Sequence, residues 1–342
     1  MNKVVFLVAG GTGGHVFPAI SLAKSLKNAK PFFLTDKRTE NLFLKEKLNY
    51  FLISSSRIKK NIFKFPLIFL KIFLGILYSM FLIIVKNPRI VIGFGGYTSI
   101  PTIIAAKILN KKIIIHEQNS IMGKTNRILS KIANITAISY EKTKFAPESA
   151  ILSGIPIRAA KKYKKKKSSK KYILIIGGSQ GAKYFSELIF QILEQLEKRT
   201  LKKIFIIHQA PQEDITKIKK IYHKFKVNFK VMSFFHNIYD EIYNADLIIS
   251  RCGASTLAEI EYFNKFSILF PLPTSADNHQ YYNAHEFQKR NKCEIIDQSN
   301  FNVKKISLLI EKIFFSKSFK QCSKTKKTKK KSLDLIINNM LG

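Results

Sequence analysis

Two stretches decide the fold: VVFLVAGGTGGH at residues 4–15 and YILIIGGSQGA at residues 172–182. Each is an apolar run, rich in Val and Ile, that stops at a cluster of glycines and is followed by helical spacing. Glycines let the backbone turn sharply after a strand and bring peptide N–H groups close to a ligand at the helix start. A strand, a glycine turn and a helix form the opening unit of a doubly wound sheet. The two openings lie about half the chain apart, so the simplest account is two such domains in sequence.

The chain between and beyond them fits that account. Apolar strand candidates are Val4–Val8, Phe32–Thr35, Phe51–Ser54, Ile90–Phe94, Ile113–His116 and Ile135–Ser139, then Tyr172–Ile176, Ile204–His208, Phe229–Ser233, Leu247–Ser250, Ser267–Phe270 and Glu294–Asp297. Helical spacing separates them, as at Ala19–Lys27, Ser99–Leu109, Ser186–Glu197 and Thr256–Phe263. Strands apolar on both faces and alternating with helices predict parallel sheets covered on both sides. The expected class is therefore α/β, with domains at 1–158 and 172–332 joined by a Lys-rich linker at 159–171. A last apolar stretch, 333–342, is expected to form a helix that docks back on the first domain.

Composition narrows the function. A chain of 342 residues with 46% apolar residues and mean hydropathy near zero is globular. Cys252, Cys293 and Cys322 are too scattered for a zinc site or a disulfide framework, which fits a reducing cytoplasm. The start, MNKVVFLVAGG, has too short an apolar stretch for a signal peptide. The net charge of +37 invites a nucleic-acid reading, but only 8 of the 59 basic residues are Arg, the side chain that fork-binds phosphates and bases. Eight Lys fall in each of two runs, 161–171 and 317–331, which read as solvated segments. No nucleic acid is expected, and an acidic membrane surface is the favoured anionic partner.

Pro66–Val85 carries a single charge, Lys71, and is long enough to span a bilayer. It lies between two strands expected in one sheet, which a spanning helix would leave on opposite sides of the membrane. A buried core helix and a helix lying in the bilayer interface remain. Lys59, Lys60, Lys64, Lys86 and Arg89 on its flanks favour the interface.

Neither glycine loop matches the dinucleotide fingerprint: Val16 and Gln180 stand where glycines are required. The strand-glycine-helix opening and Asp36, which ends the second strand where a ribose-binding acid would sit, support a nicotinamide-dependent oxidoreductase; a helix-capping or solvated Asp36 is the alternative. His15 directly follows the first loop and is a general-base candidate, because its ordinary pKa lies near neutrality; a His that merely caps the loop is the alternative. GFGGY at 93–97 and HEQN at 116–119 are further polar strand ends. In the second domain, RCGAST at 251–256 opens a helix that carries Glu259, either a ribose ligand or a charge favouring the helix start. His208, His223 and His236 have no ligand at metal spacing and read as structural. No Asp-x-Asp occurs, so a metal-independent mechanism without cofactor is expected.

Seven blocks together resemble the MurG family of peptidoglycan glycosyltransferases: GGTGGHVFPA at 10–19, GFGGYTSIP at 93–101, HEQNSIMGKTN at 116–126, SGIPIR at 153–158, GGSQGA at 177–182, SRCGASTLAEI at 250–260 and DNHQYYNA at 277–284. They occur in the family's order and cover both domains. Ile155 departs from the family's usual Asn, and Cys252 from its Ser or Ala.

The resemblance implies a GT-B fold, two Rossmann-like domains facing across a cleft. It implies an inverting transfer of N-acetylglucosamine from its UDP donor to the C4 hydroxyl of the muramyl sugar of lipid I, giving lipid II and UDP. Another GT-B UDP-sugar transferase is the nearest alternative. His15 would be the base, with Thr12, Gly13, Gly14 and Asn119 at the cleft and Tyr97 and Glu117 as acceptor-side candidates. Arg158 and Ser179 would face the donor diphosphate, and backbone near Phe235 would read uracil. The segment Ala254, Ser255, Thr256, Leu257, Ala258 and Glu259 would hold the nucleotide, with the ribose on Glu259. Gln280 would contact the sugar, sharing that role with His279. The enzyme would be peripheral on the cytoplasmic face of the cell membrane, with cell-wall synthesis or division proteins as further partners.

Overall fold

The structure, a computed structural model, describes residues 3–56, 65–157, 163–178, 183–235, 237–315 and 332–341. The chain divides into two compact units, Met1–Ala160 with Thr328–Gly342, and Lys161–Lys327.

The first unit holds a seven-stranded, wholly parallel sheet: β1 (Lys3–Val8), β2 (Ala29–Thr35), β3 (Tyr50–Leu52), β4 (Ile90–Gly93), β5 (Lys112–Glu117), β6 (Ile135–Ile138) and β7 (Ile151–Leu152), in the order β3-β2-β1-β4-β5-β6-β7. Successive side chains of a strand point to opposite faces. Val5 and Leu7 therefore pack on the helix Gly13–Ser25 and on Leu333, Ile337 and Leu341 of the terminal helix. Phe6 and Val8 pack on the opposite face, with Leu82, Ile83, Ile103 and Ala106. Both layers demand apolar residues, which is why these strands are apolar throughout. The terminal helix is also tied to the edge of β1, where Lys3 Nζ donates to the Leu341 carbonyl.

The second unit repeats the plan with β8 (Lys171–Ile176), β9 (Ile204–Gln209), β10 (Asn228–Met232), β11 (Leu247–Arg251), β12 (Ser267–Phe270) and β13 (Cys293–Ile295), parallel in the order β10-β9-β8-β11-β12-β13. Ile173 and Ile175 face Phe185, Leu188 and Ile310, while Leu174 and Ile176 face Leu257, Ile260 and Phe287. Part of the Lys-rich segment is held on this unit. The Tyr163 ring stacks on Tyr243 and meets Phe263 edge-on, and Lys166 pairs with the buried Glu241 at 3.1 Å.

Every strand read from the sequence is present, and both sheets have the doubly wound order. β7, two residues long, was not read. The first helix begins at Gly13, ahead of the expected Ala19, and contains Pro18. Proline removes one backbone donor and fixes φ near a helical value, so the helix tolerates it at the loss of one bond.

Among the described residues, Phe65–Lys86 supplies the one stretch long and apolar enough to cross a membrane. It connects β3 to β4, and both lie in the one sheet. One face is docked: Ile68, Ser79, Leu82 and Ile83 are buried, and Ser79 Oγ meets Thr102 Oγ1 at 3.0 Å. A Cβ on Gly75 would fall 2.1 Å from the Ser54 carbonyl oxygen, so only glycine permits this approach. The other face, Leu67, Phe69, Leu70, Phe73, Leu74, Leu77, Phe81 and Ile84, is exposed.

Candidate functional site

In a doubly wound sheet, ligands bind beyond the carboxyl ends of the strands where the strand order reverses. In the first unit that point lies between β1 and β4, and the loops following them are the two glycine clusters. The turn Thr12, Gly13, Gly14 starts the helix Gly13–Ser25, whose first turn has no acidic residue. Its N–H groups and dipole leave this end electropositive.

His15 lies between the two loops. Its Nδ1 is 3.2 Å from the Gly10 carbonyl oxygen. A carbonyl oxygen only accepts, so Nδ1 carries the proton and Nε2 of the neutral ring carries the lone pair. A Cβ on Gly95 would lie 3.4 Å from His15 Nε2 and 3.2 Å from Asn126 Nδ2, and one on Gly96 would lie 3.3 Å from His15 Nδ1. Both glycines have positive φ, 101° and 73°, a conformation that a Cβ penalises.

Beyond β5, Glu117 is buried and both its oxygens are engaged. Oε1 accepts from the backbone N–H of Asn119 at 2.9 Å and from Asn119 Nδ2 at 3.0 Å. Oε2 accepts from the N–H of Gly123 at 3.0 Å and from Asn126 Nδ2 at 2.8 Å. Glu117 therefore orients Asn119 and Asn126. His116 is fully buried between Gln118 and the Gly154 carbonyl, and burial lowers its pKa to about 4, so the ring is neutral.

Asp36, beside the first loop, is neither solvated nor open. Arg38 grips it through Nε and Nη2, and Thr98 Oγ1 donates to it at 2.6 Å. Burial pushes its carboxyl up, but the hydrogen bonds of Arg38 and Thr98 together hold it below the ordinary carboxylate value. Tyr97 lies in the second loop, with the Arg38 guanidinium 4.4 Å from its ring centre.

In the second unit the reversal lies between β8 and β11. Gly178, after β8, has φ +89° and open space where a Cβ would be. Ser179 and Arg158 lie outside the described residues, as does His236. After β11, Gly253 caps the helix Ala254–Tyr262. Ala254 and Leu257 are packed in the core, so they offer a ligand their backbone alone. Ser255, Thr256, Ala258 and Glu259 are half-exposed, and Glu259 accepts from the Tyr239 hydroxyl at 3.2 Å. The Phe235 side chain is in the core.

Gln280 cross-links two strand ends: its Oε1 accepts from the N–H of Cys252 at 3.0 Å and from the N–H of Leu272 at 3.1 Å. Asn283, which the sequence reading left unassigned, donates to the Cys252 carbonyl at 3.2 Å. Together they fix the peptide groups ahead of the 254–259 helix start. His279 Nδ1 donates to the Ala276 carbonyl at 2.8 Å. Burial pushes the Cys252 thiol up, so it stays protonated and is no nucleophile. Arg251 is buried at the same strand end, its guanidinium against Tyr184 and Phe185, with Nη1 3.3 Å from the Phe270 carbonyl. Only its place at a strand end before a glycine could have marked it in the sequence. His208 donates or accepts at Tyr222 Oη at 2.8 Å in the core, and His223 meets Phe229 edge-on, so both are structural.

Known proteins resemble both units. The glycosyltransferase family 28 N-terminal domain matches residues 5–138, and the family 28 C-terminal domain matches residues 172–340. A Rickettsia bellii protein named UDP-N-acetylglucosamine--N-acetylmuramyl-(pentapeptide) pyrophosphoryl-undecaprenol N-acetylglucosamine transferase is 37% identical over 100% of this chain and 99% of its own. The crystal structure of Acinetobacter baumannii MurG aligns with TM-score 0.70 and 28% identity, covering 91% of this chain and 90% of that one. A kitacinnamycin glycosyltransferase aligns with TM-score 0.69 at 11% identity over 93% of this chain and 92% of that one, a likeness of fold alone. The two Rossmann-like domains are those of the GT-B architecture, and the chain belongs to glycosyltransferase family 28.

Proposed function

We propose that this glycosyltransferase moves N-acetylglucosamine from UDP-N-acetylglucosamine to the C4 hydroxyl of the muramyl sugar of a diphosphoundecaprenyl-linked acceptor, lipid I, giving lipid II and UDP. The full-length relatives support the substrates, and His15 carries the chemistry. With Nδ1 bound to the Gly10 carbonyl, Nε2 is the basic nitrogen, set between two glycine loops that admit a ligand closely. The acceptor oxygen attacks the anomeric carbon, its proton passes to His15 Nε2, and the bond to the donor phosphate breaks with its electron pair going to UDP. Attack opposite the leaving group inverts the anomeric centre.

The second unit holds the donor. The helix start at Ala254–Glu259 receives the nucleotide through backbone N–H groups, and Glu259 accepts the ribose hydroxyls. Backbone near Phe235 reads uracil, and Gln280 contacts the sugar. Negative charge moves onto UDP during transfer, so Arg158, Ser179 and the buried Arg251 stabilise the leaving group electrostatically. In the first unit Thr12, Gly13, Gly14, Tyr97 and Asn119 receive the acceptor, with Glu117 holding Asn119. No Asp-x-Asp is present, and the mechanism is metal-independent.

The acceptor's lipid stays in the membrane, so the enzyme works as a peripheral protein on its cytoplasmic face. The exposed apolar face of Phe65–Lys86 enters the interface, and Lys86 and Arg89 meet anionic headgroups. The nicotinamide reading loses the support of Asp36, which is engaged by Arg38 and Thr98. UDP release from UDP-N-acetylglucosamine that depends on added lipid acceptor tests the assignment. Release independent of the acceptor, or none, contradicts it.

A further inference from the structure

Arg38 follows β2 in the first unit. It is half-exposed, yet its guanidinium is fixed by a buried carboxylate. Asp36 accepts four hydrogen bonds: from the Arg38 backbone N–H at 3.0 Å, Arg38 Nε at 3.2 Å, Arg38 Nη2 at 2.6 Å and Thr98 Oγ1 at 2.6 Å. Thr98 follows the second glycine loop, so this one carboxylate ties the end of β2 to the loop after β4. It lies directly under the first loop as well. A Cβ on Gly10 would fall 2.7 Å from Asp36 Oδ2 and 2.6 Å from Thr98 Oγ1.

The guanidinium that Asp36 holds sits against the first loop. A Cβ on Gly11, where φ is +83°, would lie 3.1 Å from Arg38 Nη2. Tyr97 supports the guanidinium with its ring. Arginine has five N–H donors in a planar fork. Asp36 takes two of them, and the other three have no partner among the described residues. Those donors lie beside the electropositive start of the helix Gly13–Ser25, whose first turn carries no acid to oppose an anion. A carboxylate-held arginine beside a glycine turn suits a phosphate group, which the fork meets with two parallel bonds.

We propose that Arg38 binds a phosphate of the acceptor's diphosphate, using the fork that Asp36 aims at the Gly10–Gly14 loop. The inference rests on the acceptor reading given above and adds a residue and a contact to it. Arg38 then fixes the lipid-linked muramyl sugar by its C1 substituent while His15, in the same loop region, works at C4.

The test uses the full-length chain, UDP-N-acetylglucosamine and two soluble acceptors. One is a muramyl-peptide carrying a short prenyl diphosphate at C1, and the other has a neutral alkyl glycoside there. Arg38→Ala is expected to raise the KM for the diphosphate acceptor about tenfold or more, as loss of a charge-assisted pair does. The KM for UDP-N-acetylglucosamine and the transfer rate to the alkyl glycoside should stay near wild type, so the preference for the diphosphate acceptor collapses. Arg38→Lys, which restores charge without the fork, should recover part of that preference. It also carries the test if Arg38→Ala does not fold. An unchanged KM for the diphosphate acceptor, or an equal loss on both acceptors, overturns the proposal and leaves a structural brace. Failure of the wild-type chain to transfer sugar to either acceptor overturns the functional reading, and this proposal with it.

Discussion

Glu117 holds Asn119 twice, once through the backbone N–H at 2.9 Å and once through the side-chain amide at 3.0 Å. Its second oxygen does the same work for Gly123 and Asn126. All four groups around it are donors, so the site needs a group that only accepts. Glu117→Gln places an NH₂ against two of those donors. Leaving buried donors unsatisfied costs about 1–3 kcal/mol. The variant should lose that much in urea unfolding and transfer sugar more slowly, while UDP affinity is unchanged. Wild-type stability and turnover would mean that this network does not set the position of Asn119.

Glu259→Ala should weaken UDP and UDP-N-acetylglucosamine alike. Loss of a charged partner for the ribose is worth roughly 1.5–3 kcal/mol, or tenfold and more in affinity. Calorimetry reads it directly. Because Glu259 also accepts from Tyr239, a circular-dichroism melt must accompany the titration. An unaltered UDP affinity in a folded variant would return Glu259 to the role of a charge near a helix start.

Phe73 and Leu77 lie on the exposed face of Phe65–Lys86. Phe73→Glu with Leu77→Glu should release the protein from anionic vesicles. Burial of apolar surface contributes about 25 cal/mol per Å², and each basic residue near the headgroups adds about 1 kcal/mol that salt screens. UDP affinity should be spared, because the proposed nucleotide site lies in the other unit. Co-sedimentation that survives both the substitutions and high salt would contradict an interfacial role.

Two buried histidines set a pH dependence. Burial lowers His208 to about 3 and His116 to about 4, against an ordinary value of 6.5. Between those limits the unfolded chain binds protons that the folded one does not, so stability falls as the pH drops. It is fully present above 6.5 and is lost from there down to the folded-state values, at about 1.4 kcal/mol per pH unit for each histidine. His208→Phe should remove one of these contributions. Urea midpoints between pH 6.5 and 4.5 should decline less steeply in the variant, and equal slopes would contradict the assignment.

The fold was legible because its signals are local. Strands such as Val4–Val8 and Tyr172–Ile176 are apolar on both faces, and glycines mark where they end. β7 was missed because two residues, Ile151 and Leu152, carry no periodicity. The site was legible where a single loop defines it, as with His15 after the first glycine turn. It was not legible where partners are distant in sequence. Asp36 read as a weak ribose-binding candidate because nothing nearby announces Thr98, 62 residues further on. Asn283 holds the Cys252 carbonyl 31 residues away for the same reason. Such contacts depend on strand order, which brings β2, β1 and β4 together in the first unit, and β11 and β12 in the second, only after the sheets have formed.

His15 as the base of a transfer to a lipid-linked muramyl sugar is the central claim, and single-turnover transfer of radiolabelled N-acetylglucosamine into butanol-extractable lipid tests it most directly. The wild-type chain should label the lipid, and His15→Ala should do so on the order of 10²–10⁴ times more slowly with UDP affinity retained. A wild-type chain that leaves the lipid unlabelled, or a His15→Ala variant that labels it at the wild-type rate, would contradict the account.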